Sequence, residues 1–276
     1  MSVIKIGGGE GIDPCEALRE VGELVRSGQR VVVVHGGSHE TNEVAKTLGR
    51  PHRFMTSPSG HVSRRTDRDT LDVFAMVYCG KINTRVVESL RRDGVDAIGL
   101  SGVDGGLWIG KRRTAIRSVE EGRTVIIRDD LSGAIQSVDS GLLELLLSAG
   151  RVPVLCPPAV TEEGVAINVD ADRAAAATAA ALGADELLLL SNVPGVLADP
   201  NAGVSTLIAS VEEAGLDVVR AAASGRMKNK VLAAEEALAG GVDRVVIASA
   251  RGERPIDAAR SGRGTVFGGS LAERSA

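Results

Sequence analysis

At 276 residues and 28.5 kDa, with 43% hydrophobic residues, the chain is long enough for one large domain or two lobes around a substantial core. A formal net charge of -4 and an aromatic content of 2% argue against a general basic field for DNA or RNA and against a base-stacking platform for single strands. Three widely spaced cysteines, Cys15, Cys79 and Cys156, form no Cys-x-x-Cys and so no local zinc knot, and they fit a reducing cytoplasm. No apolar run reaches the ~20 residues of a membrane helix, and the first residues lack a signal-peptide pattern, so a cytoplasmic protein is expected.

Apolar runs at 3–6, 31–35, 96–100, 124–128, 152–156, 187–191 and 243–248 predict strands, with helices between most of them, as at 14–27, 67–92 and 139–149. Asp13-Pro14, Asp67 and Asp139 read as helix starts, and the alanine-rich run 171–181 as a helix ending near Gly183. This alternation predicts an α/β protein, a mostly parallel sheet with helices on both faces, in which ligands bind beyond the carboxyl ends of the strands. Residues 104–138 differ, and their short polar-alternating segments predict small antiparallel strands.

The first strand carries Lys5 and empties into Gly7-Gly8-Gly9, and the second empties into His35-Gly36-Gly37-Ser38. Two glycine turns at the same end of a sheet can aim two sets of backbone amides at one polyanion, with the lysine as a fixed positive charge. Between residues 57 and 68, Arg64, Arg65 and Arg68 directly precede a helix, which suits bidentate carboxylate recognition or an ordinary solvated cluster. Gly105 to Arg112 imitates a P-loop, but Arg112 occupies the Ser/Thr position and no helix follows, so the segment reads as a strand. His35 and His39 flank two glycines and are not a helical zinc pair; His39 is placed at a helix start, and no metal-ligating set is assigned.

Asn168-Val169-Asp170-Ala171-Asp172 stands at the entry of the alanine-rich helix, where one side chain serves as a cap and the others are free to hold an amine or orient lysines. Ser191-Asn192-Val193-Pro194-Gly195-Val196 is either a plain strand-to-helix turn or the border of a nucleotide base. Gly225-Arg226-Met227-Lys228-Asn229-Lys230 leads into a helix predicted from Val231, and cations at a helix N-terminus conflict with the dipole unless an anion joins them. Lys228 and Lys230 are therefore either phosphate-facing groups or a solvated basic start.

Taken in order, Lys5 to Gly9, His35-Gly36-Gly37, Arg64-x-Thr66-Asp67, Asn168-x-Asp170-Ala171-Asp172, Ser191 to Val196 and Gly225-x-Met227-x-x-Lys230 resemble the amino acid kinase family, in its acetylglutamate kinase branch. The resemblance covers essentially the whole chain. Ser57 to Gly60, Arg65 to Leu71, Met76 to Gly80, Leu100 to Gly105 and Arg226-Met227-Lys228 are similar to members that act on an amino acid, aminoadipate or glutamate, attached through its amine to a small acidic amino-group carrier protein. It implies a three-layer αβα sandwich in two lobes, 1–180 for the amino acid, carrier and dimer contact and 181–276 for ATP, with magnesium bridging the nucleotide phosphates.

The same resemblance implies roles for single residues. Lys5 and Lys230 would neutralise the moving phosphoryl group and the leaving ADP, with Asp172 orienting both. Gly7, Gly8, Gly36 and Gly37 would cradle phosphoryl oxygens, the two latter also bordering the substrate. Arg64 would hold its α-carboxylate and Asn168 its amide, and Ser191, Asn192, Gly195, Val196, Met227 and Lys228 would border the nucleotide. Arg65, Arg68, Lys111, Arg112, Arg113 and Arg117 would form a positive patch that steers the acidic carrier. Free N-acetylglutamate kinase, and a nucleotide-binding regulatory or storage protein on the same fold, are the competing expectations. Ser38 in place of a frequent third glycine, and Asn192 in place of a frequent aspartate, depart from the family pattern. A homodimer without arginine feedback is expected, since no additional N-terminal helix precedes the first strand.

Overall fold

Valine- and leucine-rich runs become strands and the stretches between them helices in the computed structural model, which describes residues 1–58, 60, 62–120 and 123–269. The chain begins with β1 (Ser2–Ile6), α1 (Cys15–Arg26), β2 (Val31–His35) and α2 (Ser38–Thr47), then a hairpin of β3 (Phe54–Thr56) and β4 (Val62–Arg64). A long helical run follows, α3 (Arg68–Ala75), a π-helical segment at Met76–Asn83 and α4 (Thr84–Arg92), leading to β5 (Ala97–Ser101). Next come β6 (Trp108–Arg112), β7 (Ile116–Glu120), β8 (Arg123–Ile127), β9 (Gly133–Val138), α5 (Ser140–Ser148) and β10 (Val152–Cys156). Short β11 (Ala159–Val160) and β12 (Ala166–Ile167) precede α6 (Ala171–Ala181) and β13 (Glu186–Ser191). The chain closes with α7 (Val211–Ala214), α8 (Leu216–Ala222), α9 (Arg226–Ala239), β14 (Arg244–Ser249), α10 (Pro255–Arg260) and β15 (Thr265–Gly268).

Seven strands form the central sheet in the order β15-β14-β13-β1-β2-β10-β5, parallel except for the edge strand β15, which runs antiparallel to β14. β1 lies between β13 and β2, so strands from the later and earlier parts of the chain leave it in opposite directions. A crevice beyond the carboxyl ends is the ligand position that such a switch point creates. Side chains alternate along each strand. Ile4, Ile6, Val31, Val33, Leu188 and Leu190 belong to one core layer together with residues of α1, α4 and α10. Val3, Val32, Val34, Leu187 and Leu189 belong to the other, with α5, α6, α8 and α9. The expected αβα sandwich is what the chain forms.

Most predicted boundaries agree within a residue or two, and the run at 124–128 is one of the small antiparallel strands expected for 104–138: β8 pairs with β7 in a two-stranded hairpin, and Thr124 and Ile126 are exposed. Two differences are instructive. Residues 67–92 form one helical run interrupted by a π-helical segment, a feature that concentrates at functional sites. The helix expected from Val231 starts at Arg226, which brings the basic residues into its first turn. Asp67 and Asp139 cap α3 and α5 by accepting the N–H of Thr70 and Leu142, whereas Asp13 accepts the Cys15 N–H and Pro14 takes the cap position. The strand expected in the P-loop imitation is β6, whose Trp108 is buried and donates to Thr178 Oγ1 at 3.1 Å, tying the small sheet β12-β11-β6-β9 to α6.

Two ends of the molecule are joined by Glu20, which is 1% exposed on α1 and accepts the N–H groups of Ile256 (2.8 Å) and Asp257 (2.9 Å) at the start of α10. Helix starts leave such donors without partners, and losing the acceptor strands them in the core. Glu20→Ala is expected to cost about 2–3 kcal/mol in urea unfolding; an unchanged midpoint would contradict this role.

Candidate active site

Position 5 shares its sheet face with Val3, the face covered by α6 and α9. Asp172, in the first turn of α6, and Lys230, the fifth residue of α9, meet it there. Lys5 Nζ lies 2.6 Å from Asp172 Oδ1, and Lys230 Nζ donates to Asp172 Oδ2 at 2.7 Å. All three side chains are buried. Burial pushes the Lys5 ammonium below its usual range and the neighbouring Lys230 charge adds to this, while Asp172 opposes it. For Asp172 burial favours the neutral acid, but the two lysines together outweigh it and hold the carboxyl far below the ordinary range. The arrangement retains one net positive charge.

The two glycine turns press backbone against backbone in front of this triad. A Cβ on Gly8 would stand 2.0 Å from the Gly37 nitrogen, so that position admits no side chain, and one on Gly37 would stand 2.3 Å from Ile82 Cδ1 and have to displace it. The amides divide differently from the expected cradle. Gly7 donates its N–H to the Leu190 carbonyl and Gly36 to the Ile6 carbonyl, continuing the sheet, so these two are not phosphoryl donors. Gly8, Gly9 and Gly37 donate to no carbonyl of that ladder, and of these Gly37 faces the Tyr78 hydroxyl, so the turns offer an anion the Gly8 and Gly9 amides outright and Gly37 in exchange for Tyr78.

At the head of α6 the three polar residues separate by role. Asp170 is the cap, accepting the N–H groups of Asp172 and Arg173, and its other oxygen takes a hydrogen bond from Asn229. Asn168 donates to the Thr66 hydroxyl at 3.3 Å, so the expected amide-binding residue is joined to the arginine loop. The Arg64 guanidinium donates to Asn42 Oδ1 (2.6 Å) and the Ser38 carbonyl (3.3 Å), close to the second glycine turn. Ser59 and His61 of the loop before it lie outside the described residues.

Sequence reasoning missed the groups that hold this loop and the second turn. Asp130, fully buried, accepts the N–H of Thr66 (2.8 Å) and of Ser132 (2.8 Å). Its surroundings, Arg128-Asp129-Asp130-Leu131, read as an ordinary charged turn, and only the long-range contact reveals its function. Asn83, at the end of the π-helical segment, donates to His35 Nε2 (3.1 Å) and the Val154 carbonyl, leaving His35 Nδ1 to carry the proton toward the Gly36 carbonyl. His39 begins the second residue of α2 and donates its N–H to the Gly8 carbonyl.

On the nucleotide side, Ser191 is buried, Asn192 is exposed and lies against Gly9, and Lys228 is exposed in the first turn of α9 with Met227 half-buried behind it. Val196 does not border an open site. Its side chain is fully buried in the core, its N–H goes to Thr265 Oγ1 and its carbonyl accepts from Ile208. Gly195 is likewise buried in that turn, against Leu207 and Thr265.

Half of the expected positive patch is already engaged. Arg65 makes a two-oxygen contact with Asp129 (2.9 and 2.7 Å), Arg68 pairs with Asp72, and Arg112 donates to the Asp130 and Arg128 carbonyls. The side chains of Lys111, Arg113 and Arg117 are exposed and have no ion-pair partner among the described residues. β3 packs against β7, which brings the hairpin carrying Arg117 beside the one that ends at Arg64.

The model of the amino acid kinase family matches residues 1–249. The chain belongs to the amino acid kinase family. It is 53% identical over 267 residues to a protein of Deinococcus radiodurans named [LysW]-aminoadipate kinase, covering 96% of this chain and 91% of that one. It is 50% identical to the [LysW]-aminoadipate kinase of Thermus thermophilus, covering 96% and 99% respectively. Among solved structures, N-acetylglutamate synthase from Neisseria gonorrhoeae has the same fold, with a TM-score of 0.75 at 24% identity over 97% of this chain and 59% of that one.

Burial, aided by the Lys5 charge against the pull of the Gly36 carbonyl, pushes His35 down from 6.5 to about 4. An imidazole neutral in the native state and protonated in the unfolded chain removes stability as pH falls from about 6.5 toward 4, about 3 kcal/mol over that window. Urea unfolding between pH 7.5 and 4.5 is expected to show a shallower decline for His35→Gln than for the wild type. Equal slopes would contradict it.

Proposed function

We propose that the protein transfers the γ-phosphoryl group of ATP to the side-chain carboxylate of aminoadipate, or glutamate, whose amine is linked to a small acidic carrier protein of the LysW kind. The observation that carries this reading is the buried Lys5-Asp172-Lys230 triad set behind two glycine turns at the switch point of the sheet. The names of the relatives at 50% and 53% identity supply the substrate class.

In this reading a carboxylate oxygen attacks the γ-phosphorus in line, the bridging bond to the β-phosphate breaks, and an acyl phosphate and ADP result. The acceptor is ionised at neutral pH, so no general base is needed. Positioning and charge compensation are the protein's contribution. Lys5 and Lys230 lie against the transferring group and the leaving phosphate, the Gly8 and Gly37 amides receive equatorial oxygens, and Arg64 and Asn168 orient the amino acid. Among the described residues no group of three or more His, Cys, Asp or Glu comes together as a metal cage, and Asp172 is occupied by two lysines. Magnesium would be held through the nucleotide phosphates and would supply charge neutralisation there.

Residues 1–180 form the amino-acid and carrier lobe and 181–276 the ATP lobe, with Ser191, Asn192 and Lys228 beside the nucleotide. Lys111, Arg113 and Arg117 steer the carrier. The protein works as a homodimer in the cytoplasm, consistent with three free cysteines. The deciding assay is ADP release with hydroxylamine trapping of the acyl phosphate, comparing free N-acetylglutamate, free N-acetyl-aminoadipate and both amino acids on a purified carrier. Turnover confined to carrier-linked forms is expected. Efficient turnover of free N-acetylglutamate would make the protein an acetylglutamate kinase, and no turnover of any form would leave a nucleotide-binding protein.

Lys230→Met leaves Asp172 paired with Lys5 and so strands no buried charge. Its fold should persist while kcat drops roughly 100- to 1,000-fold, the effect of removing one preorganised charge of about 3–4 kcal/mol. An unchanged kcat would remove Lys230 from the site.

A further inference from the structure

Two arginines converge on one serine at the mouth of the site. Ser38, the first residue of α2, accepts a hydrogen bond from Arg64 on its carbonyl (3.3 Å) and one from Arg226 on its hydroxyl (3.2 Å). The same hydroxyl donates to the Gly8 carbonyl at 3.3 Å, so the Arg226 contact reaches from the start of α9 to both glycine turns. Neither guanidinium has a carboxylate partner among the described residues, and Arg64 Nε is buried without any acceptor. By contrast, Arg65 and Arg68 in the neighbouring loop and helix are each matched with an aspartate.

Two guanidinium groups set close together on neutral oxygens leave their charges uncompensated, and either would exchange such an acceptor for a carboxylate at a gain. One anionic group does not account for both. An α-amino diacid with a blocked amine has two carboxylates, of which one receives the phosphoryl group and the other belongs to Arg64. The second arginine is tied to the same serine as Arg64 and so is set on the acceptor side, apart from Lys228 on the nucleotide side, and there the blocking acyl group is the remaining place for a third carboxylate. An acetyl group has none. An acyl group formed from the side-chain carboxyl of a terminal glutamate retains its own α-carboxylate a few bonds beyond the amide.

We propose that Arg226, seated on Ser38, binds a carboxylate carried by the acyl group that blocks the substrate's amine, and so distinguishes a glutamyl-linked substrate from an acetylated one. The inference rests on the carrier-linked reading above and narrows it to a defined contact. It also gives the serine at position 38 a function, since a third glycine there would leave Arg226 without its resting acceptor.

Two small ligands that differ by one carboxylate test it: N-(N-acetyl-γ-glutamyl)-aminoadipate and N-(4-acetamidobutyryl)-aminoadipate. Their Kd values are measured by calorimetry on the full-length protein with a non-hydrolysable ATP analogue and magnesium present. The wild type is expected to bind the first at least about tenfold more tightly. In Arg226→Gln the ratio should fall to within about twofold of one, with partial recovery in Arg226→Lys. A ratio near one in the wild type, a ratio that survives in Arg226→Gln, or no measurable binding of the first ligand overturns the proposal. Because the readout is binding, it separates from the carrier-linked reading. Wild-type turnover of the carrier-linked substrate with a ratio near one would sink the Arg226 contact alone.

Discussion

A single carboxylate held between two buried lysines sets the terms for the rest of this molecule. Without Asp172, Lys5 and Lys230 would face each other inside the protein, and burial already drives Lys5 toward losing its charge. Asp172 keeps both cations in place, and it sits in the first turn of α6, where the helix dipole favours an anion. Lys230 follows a first turn of α9 that holds Arg226 and Lys228 and no acidic residue, so that helix end brings positive charge only. The triad is consequently short of one negative charge. A nucleotide polyanion supplies it, and the resulting complementarity is strongest where negative charge spreads over the transferring group.

The glycine turns follow from the same requirement. Bringing backbone amides up to a phosphoryl group next to Lys5 requires the ends of β1 and β2 to touch, and the 2.0 Å approach at Gly8 leaves no room for a methyl group. Their geometry is fixed from behind by the sheet, through the Gly7 and Gly36 N–H groups, and from the side by His35, Asn83 and the π-helical segment. Fold and site are thus one construction: the carboxyl end of the central strand pair is also the bottom of the cradle.

Local grammar made much of this legible. Lys5 within an apolar run, two strand-ending glycine turns and an Asp-rich helix entry are encoded within a few residues, and the resemblance of six ordered motifs connected them. Expectations failed where a residue's partner lies far away. Gly7 and Gly36 look like cradle donors until their pairing with Leu190 and Ile6 is known. Val196 looks like a base contact until its burial behind Thr265 is seen. Asp130 and Asn83 gave no signal at all, because each acts on a segment roughly 50 or more positions away. The strand at 124–128 falls where the polar alternation of 104–138 put it, in a small antiparallel hairpin outside the central sheet.

Charge bookkeeping by pairing separates the arginines more sharply than counting them. A run such as Arg64-Arg65-Thr66-Asp67-Arg68 reads as one basic feature, yet Arg65 and Arg68 are matched by Asp129 and Asp72 and add little to the external field. A long-range field depends on net charge, so exposed cations without an ion-pair partner among the described residues contribute most to it, Lys111, Arg113 and Arg117 among them. Recognition at short range needs something different, a guanidinium whose current acceptors are neutral and replaceable, and Arg64 and Arg226 meet that condition around Ser38. Under the proposed function, long-range attraction and close reading would therefore use separate residues, and a change in ionic strength would act mainly on the first because solvent-exposed charges are screened beyond about 10 Å.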